Sequence, residues 1–422
     1  MTDLFWIGRY GTEGVAAVSL CFPVTFLFIS AGIGLSIAGN ILIAQYRGAK
    51  NHSSMNKVAA QTVLMTMCVS AIISVLGYFA SGLIIEFMGV EPLVTQYATE
   101  YLKVSFAGMI FVFGFMSFQG LLRGVGEVKV PAFIILGTVL LNLIVDPIFI
   151  MGYGIIPSMG VAGAAYATII TQSIAFSIVL ALLVKGQYGI KLKLKNLKPN
   201  FKLMKRIFAI GLPSSIEMSA KSLGMLAMTY LIASFGTVAV AAYGIVGQMF
   251  SLIILPAMGI SMAASTIVGQ NIGAGKVPRA ESTANKSTLI GFVLLTAVGA
   301  VLFVFGGAVA RIFVPDDPAV IAQAASFMKI IALAFGFLGS QQILSGVFQG
   351  AGETKVAMTI SLIALWLVQI PFAYFASRYT ALGADGVLLA FPISYVLGMG
   401  IALFWFLRGN WKHRRITHEV EL

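Results

Sequence analysis

The chain has 422 residues, of which 59% are hydrophobic and 10% are charged, and its mean hydropathy is +0.96. A soluble protein of this composition would have too few polar side chains to cover its surface, so the composition indicates a polytopic membrane protein. The net charge of +12 comes mainly from short loops beside apolar segments, an arrangement that orients membrane proteins and does not favour nucleic-acid binding.

Apolar runs recur along the chain, and each is long enough to cross a hydrocarbon core of roughly 30 Å as a helix. The predicted helices cover 14–46, 57–88, 93–122, 130–152, 161–185, 205–234, 237–271, 284–314, 319–347, 355–377 and 384–408, with a further fragment before Gly11. We therefore expect an all-α fold with about twelve transmembrane helices. Because only ten residues precede Gly11, the first helix is expected to be truncated and too short to span a bilayer.

The two halves of the chain repeat one pattern. The segment 11–17 (GTEGVAA) returns as 236–242 (GTVAVAA), and 120–130 (GLLRGVGEVKV) returns as 346–356 (GVFQGAGETKV). Parallel repeats of this size in an apolar chain are typical of transporters whose halves move against each other. The repeat predicts two six-helix bundles.

A basic stretch separates the halves and indicates their orientation. The predicted domains are an N-terminal lobe at 1–186, a connector at 187–204, a C-terminal lobe at 205–410 and a tail at 411–422. By the positive-inside rule, the connector and both termini are expected in the cytoplasm, with the helices in a prokaryotic-type plasma (inner) membrane. Alternatively, the connector lysines bind anionic lipid head groups.

Motifs for enzyme chemistry are missing from the sequence. The three histidines lie in predicted loops or the tail, and no nucleophile elbow, phosphate-binding loop or paired metal-ligand spacing occurs. We therefore expect no catalytic residues, no cofactor and no obligate protein partner.

The candidates for function are charges inside apolar helices, because a carboxylate there is costly. Asp146 lies one turn from Asn142, and Phe149 and Tyr153 continue this helix face. Pro147 frees a backbone carbonyl that could join a cation site. The structural alternative is a protonated Asp146 that only hydrogen-bonds a neighbouring helix.

Asp3 is the second acidic candidate. In a complete first helix it would lie about two turns inside that helix and could meet Asp146 across the N-terminal bundle. Two carboxylates that close cannot easily both ionise, which would make a proton switch. With the helix truncated, a solvated terminal Asp3 is the alternative.

The C-terminal half has apolar residues at the repeat counterparts of both aspartates. Its predicted helix 205–234 instead contains Glu217 and Lys221, which are spaced to form an ion pair. Three methionines share the same broad face, and such a surface could accept varied amphiphilic ligands: Met218, Met225 and Met228. The alternative is that these methionines only fill the core and that the pair only neutralises itself.

Four segments together resemble the multidrug and toxic compound extrusion (MATE) transporters. They are 3–11 (DLFWIGRYG), 123–126 (RGVG), 142–147 (NLIVDP) and 160–168 (GVAGAAYAT). The resemblance covers essentially the whole chain. It implies a twelve-helix, two-lobed antiporter that expels organic cations in exchange for protons or sodium.

Within that family the chain looks closer to the DinF-like branch. The resemblance implies that Asp3, Asn142, Asp146 and Thr168 form an N-lobe site for H⁺ or Na⁺, and no other metal site is expected. The NorM branch has C-lobe acids in the seventh and tenth of its twelve transmembrane helices. Here the seventh is the predicted helix 205–234, and Lys221 stands at the position of the acid. A C-lobe sodium site is therefore not expected.

The sequence predicts a secondary active multidrug exporter whose partners are amphiphilic or cationic small molecules and membrane lipids. The predicted substrate cavity comprises Phe149, Tyr153, Glu217, Met218, Lys221, Met225 and Met228. Two alternatives stay open: a flippase for a lipid-linked precursor, which should have a cavity rich in Arg and Lys, and a membrane protein that does not transport because helix 1 is incomplete.

The orientation can be tested by labelling. Single cysteines introduced at Lys195 and at Asp317, in a background without Cys21 and Cys68, should react from opposite membrane faces, because the rule places only Lys195 in the cytoplasm. An impermeant maleimide applied to intact cells measures this. Labelling of both positions from outside would contradict the predicted topology.

Overall fold

The computed structural model describes residues 2–154, 156–315, 317–414 and 416, which are mainly α-helical. No β-strand occurs among these residues, apart from one isolated bridge between Tyr153 and Ile156. The all-α fold predicted from the apolar runs is confirmed.

The helices follow the predicted order. In the first half they are α1 (Thr2–Tyr10), α2 (Thr12–Gly48), α3 (His52–Glu86), α4 (Pro92–Ala107), α5 (Met109–Gly124), α6 (Lys129–Met151) and α7 (Gly160–Lys185). In the second half they are α8 (Phe201–Ala233), α9 (Thr237–Gly273), α10 (Val277–Phe313), α11 (Pro318–Ala332), α12 (Phe335–Ala351), α13 (Thr354–Leu362), α14 (Ile370–Tyr379) and α15 (Gly383–Arg408). A π-helical segment, Ile363–Gln369, joins α13 to α14.

Length and apolar character allow most of these helices to cross a membrane. Among the described residues, eight helical segments qualify, and there are ten spans if the bent pairs α4–α5 and α11–α12 each count as one. These pairs bend by 50° and 53° at corresponding places in the two halves. The short α1 and the charged α8 complete the twelve predicted helices, and they form the two six-helix bundles of a polytopic membrane protein.

The chain folds into two compact units, each with its own hydrophobic core. The N-terminal unit comprises Met1–Arg47 and Asn51–Ser215, and the C-terminal unit comprises Gly48–Lys50 and Ile216–Leu422. The division falls within α8, because the start of that helix lies against α2. A Cβ atom on Gly34 would be only 2.0 Å from the Ser215 hydroxyl oxygen.

The basic connector is fixed to the N-terminal unit by one buried side chain. Gln61 of α3 donates from Nε2 to the carbonyl oxygens of Asn196 at 2.6 Å and Lys198 at 2.8 Å. Its Oε1 accepts from the backbone N–H of Asn200 at 2.9 Å. The connector therefore has a defined path along α3.

The sequence repeat is also a repeat of helix packing. In the N-terminal unit the Ser36 hydroxyl donates to the Met116 carbonyl at 2.6 Å, and at the repeat position Ser261 donates to the Gln342 carbonyl at 2.7 Å. Glycines let the backbones approach at both crossings, as small residues commonly do in membrane helices. A Cβ atom on Gly350 would lie 2.1 Å from the Ser265 carbonyl oxygen.

Replacing Gly350 should therefore destabilise the C-terminal unit. Gly350→Ala forces α12 away from α9, and overpacking of this kind costs about 1–3 kcal/mol. The matched control is Gly400→Ala, since a Cβ atom there meets nothing within 4 Å. Thermal unfolding in detergent should show a lower midpoint for Gly350→Ala only; equal midpoints for the two variants would contradict the close crossing.

Candidate functional site

The predicted ion-site residues lie where α1, α4, α6 and α7 meet in the N-terminal unit. The short α1 packs against α6 and α7, and α4 packs against α7. Ile7 is fully buried in the core and anchors α1. This packing holds Asp3 inside the unit despite the short helix.

The structure arranges the four predicted residues as two hydrogen-bonded pairs. Asp146 is fully buried, and its Oδ1 accepts from the Asn142 amide Nδ2 at 2.8 Å. Asp3 is half-buried, and its Oδ2 accepts from the Thr168 hydroxyl at 3.3 Å. Buried carboxylates need such donors or a cation, because burying them alone is costly.

A tyrosine that the sequence analysis did not single out lies near both pairs. The Tyr101 phenol on α4 lies within electrostatic range of both Asp3 and Asp146, and it shares a hydrogen bond with Ser105 one turn later. The two pairs and Tyr101 therefore form one cluster. The i to i+4 spacing of Tyr101 and Ser105 in an apolar helix was the only local signal for this position.

The bend between α4 and α5 brings α4 and its Tyr101 close to α7. The bend occurs at Gly108, where a Cβ atom would lie 2.2 Å from Cγ1 of Ile169, the residue after Thr168. A larger residue than glycine would therefore push α4 and its Tyr101 away from α7.

The predicted polar and aromatic face of α6 stops earlier than expected. Phe149 is half-buried within α6, but the helix ends at Met151. Gly152 follows with φ of 81°, which glycine adopts readily and which breaks the helical spacing. Tyr153 is 79% exposed, so the prediction that it continues the Asp146 face was wrong.

The C-terminal unit contains a cavity of about 300 Å³. Four side chains of α8 line it: Met218, Lys221, Met225 and Met228. Aromatic and aliphatic residues from other elements form most of the remaining wall. Its neutral polar lining residues are Gln341, Gln342, Gln369, Ser345, Ser361, Ser394, Tyr243 and Tyr395.

Glu217 lies behind this wall and is held by three donors. Its Oε1 accepts from Lys221 Nζ at 2.7 Å and from the Ser361 hydroxyl at 2.8 Å, and Gln349 Nε2 donates to Oε2 at 3.4 Å. The Glu217 side chain is 3% exposed, whereas that of Lys221 is 37% exposed. The structure thus forms the predicted ion pair, but only its cationic member lines the cavity.

The π-helical segment forms part of the cavity wall. Pro371 follows it and lacks a backbone N–H, so the preceding turn widens, and Ile370 donates to the carbonyl of Leu365 five residues earlier. Ser394 of α15 donates to the Ala364 carbonyl at 3.0 Å. Segments of this kind occur frequently at functional sites.

These features define a polytopic membrane transporter, and comparison with known proteins gives its family. The MatE family model matches residues 1–148 and 213–375. The chain therefore belongs to the MATE transporter family, whose members are transporters and not enzymes.

Relatives and solved structures match nearly the whole chain. A probable multidrug resistance protein of Bacillus subtilis, YoeA, is 28% identical and is matched over 100% of this chain and 91% of its own. An FAD transporter of Shewanella oneidensis is 26% identical over 96% of this chain and 89% of its own. A crystal structure of MATE in the bent conformation superposes with a TM-score of 0.91 at 26% identity, covering 99% and 92% of the two chains.

Family membership confirms the predicted MATE resemblance, the transport of small molecules and the multi-pass membrane character. It leaves the coupling ion, the substrate and the roles of individual residues as predictions.

Proposed function

We propose that the chain is a secondary active exporter that exchanges cationic or other amphiphilic small molecules for H⁺ or Na⁺ by alternating access. The observation that carries this proposal is the buried Asp146, paired with Asn142 and joined in one cluster with Asp3 and Thr168. The multidrug resistance names of relatives support drug export.

The cluster has the chemistry that an exchangeable cation requires. It offers two carboxylates, a side-chain amide and a hydroxyl, which are hard oxygen ligands of the kind that suit Na⁺, and either carboxylate can instead take a proton. Either cation, once bound, reduces the negative charge of the cluster. The occupied and empty clusters therefore favour different packing of α1, α4, α6 and α7.

Coupling follows if substrate and ion favour opposite states of the transporter. The ion shifts the equilibrium only by its difference in affinity between those states, and effective coupling takes about 1–3 kcal/mol. In the proposed cycle, ion binding in the outward-facing state lowers the affinity for substrate, and the emptied protein returns inward to reload.

The distribution of acids supports coupling in the N-terminal unit, as in the DinF-like branch. In the C-terminal unit, Glu217 is already neutralised by Lys221. Asp317 caps α11 by accepting from the backbone N–H groups of Ala319 at 3.0 Å and Val320 at 3.1 Å. Neither acid is therefore a good candidate for a second cation site.

Removing one carboxylate should uncouple the exporter. Asp146→Asn should abolish ion-driven efflux but leave the protein folded, because the amide keeps the side-chain shape and loses the charge that binds the cation. Efflux from vesicles under an imposed proton or sodium gradient measures this. The control is Asp385→Asn, since Asp385 lies at the start of α15 in the C-terminal unit; unchanged efflux in Asp146→Asn would refute the assignment.

The two units should divide ion and substrate recognition. Asn142→Ala and Thr168→Ala should alter ion dependence for every substrate, because a cation site needs its oxygens in fixed places. Met225→Ala should shift substrate preference alone, since Met225 is 58% exposed at the cavity and a ligand that buries it fully gains about 1.5–3 kcal/mol of non-directional contact. A matrix of these variants against several dyes and both ions checks this. If Met225→Ala changed ion dependence as strongly as Asn142→Ala does, a single site would bind both the ion and the substrate.

A further inference from the structure

The C-terminal cavity has one charged residue among the described residues that line it, and that residue is a cation, Lys221. We propose that this cavity binds amphiphiles that carry an acidic group, a carboxylate or a phosphate, and that Lys221 holds that group. The inference deepens the proposed function and rests on it, since it names the substrate class of the proposed exporter.

The Lys221 ammonium group has N–H donors available for a ligand. An ammonium group has three N–H donors. Within the described residues only one is used, by Glu217 Oε1 at 2.7 Å. Because the Lys221 side chain is 37% exposed at the cavity wall, the other two donors are available to a ligand. Charge-assisted hydrogen bonds of this kind are about twice as strong as neutral ones.

Glu217 balances Lys221 in charge but does not offer a site for a cationic ligand. Its oxygens face Lys221, Ser361 and Gln349, and its side chain is 3% exposed. A ligand in the cavity therefore meets the ammonium directly and the carboxylate only at a greater distance. Since electrostatic energy falls with distance, this arrangement favours an acidic group over an amine.

The rest of the wall suits an apolar ligand body. Phe250, Phe391 and the α8 methionines provide adaptable apolar contact, and the glutamines provide neutral donors and acceptors for polar substituents. The volume of about 300 Å³ is at the small end of ligand sites, so we expect a ligand of about two aromatic rings.

Trp366 provides a built-in reporter of binding. Its indole Nε1 donates to the carbonyl of Ala220 at 3.2 Å, and Ala220 directly precedes Lys221. Energy transfer from this indole to a dansyl group would therefore report occupancy next to Lys221. Trp366→Phe should reduce the transfer, and the remainder comes from the other tryptophans, Trp6, Trp405 and Trp411.

The test compares two probes with the same dansyl body on the purified full chain in detergent. Dansylglycine carries a carboxylate, and dansylcadaverine carries an amine. The wild-type protein should bind dansylglycine about tenfold more tightly, as expected for one direct ion contact. Lys221→Gln should abolish this preference, and Lys221→Arg should retain it. The control Lys195→Gln changes an exposed connector lysine and should leave both affinities unchanged.

Glu217→Gln separates ligand recognition from a purely structural ion pair. If Lys221 holds the ligand, removing its carboxylate competitor should tighten dansylglycine binding, whereas a structural pair predicts weaker binding of both probes. Equal affinities of the wild-type protein for the two probes would overturn the proposal, even if every variant failed to fold. A preference that survives in Lys221→Gln would also overturn it.

Probe binding is measured without a gradient of H⁺ or Na⁺. Its result therefore does not depend on whether ion and substrate transport are coupled. If dansylglycine is preferred but vesicles show no gradient-driven efflux, the proposed exporter is wrong and the Lys221 site stands. If vesicles show gradient-driven efflux but the protein does not prefer dansylglycine over dansylcadaverine, the proposed exporter stands and the Lys221 site is wrong.

Discussion

The cost of placing a carboxylate among apolar helices is the constraint on which this structure depends. Asp146 is fully buried in α6, where Asn142 of the same helix donates its amide N–H to Asp146, and the Tyr101 phenol of α4 lies within electrostatic range. Asp3 reaches the same cluster because Ile7 anchors the nine-residue α1 in the core. A protein that keeps such groups buried needs a way to neutralise them, and an exchangeable cation does so in the proposed function.

The repeat gives both halves one scaffold, but their chemistry differs. Ser36 and Ser261 each donate to a backbone carbonyl at matching repeat positions, and both crossings use glycine for close approach. At the repeat counterpart of Asp146, however, the C-terminal half has Phe372. Among the described residues of that half, the one buried carboxylate is Glu217, which Lys221 holds behind an adaptable cavity wall. Under the proposed function, one half therefore serves the ion and the other serves the substrate.

Features that depend on neighbouring positions in the sequence, such as helix length and i to i+4 pairs, were predictable. Features that depend on contacts between helices distant in the sequence were not. Apolar length predicted the helices, and the i to i+4 spacing predicted the Glu217–Lys221 ion pair. Tyr101 was missed because its acidic neighbours come from α1 and α6, and the partners of Glu217 were missed because Ser361 is 144 positions away. The positive φ of Gly152 ended α6 before Tyr153, which helical spacing alone could not reveal.

Infrared difference spectroscopy of the purified protein gives the most direct test of an exchangeable cation at Asp3 and Asp146. Lowering the pH should produce the carbonyl band of a protonated carboxyl group, and Na⁺ should suppress this band if Na⁺ competes for the same oxygens. The band should be lost in Asp146→Asn and altered in Asp3→Asn, because the proposed function places both carboxylates at one cation site. Difference spectra that are identical in the wild-type protein and in both variants would contradict an exchangeable cation in the N-terminal unit.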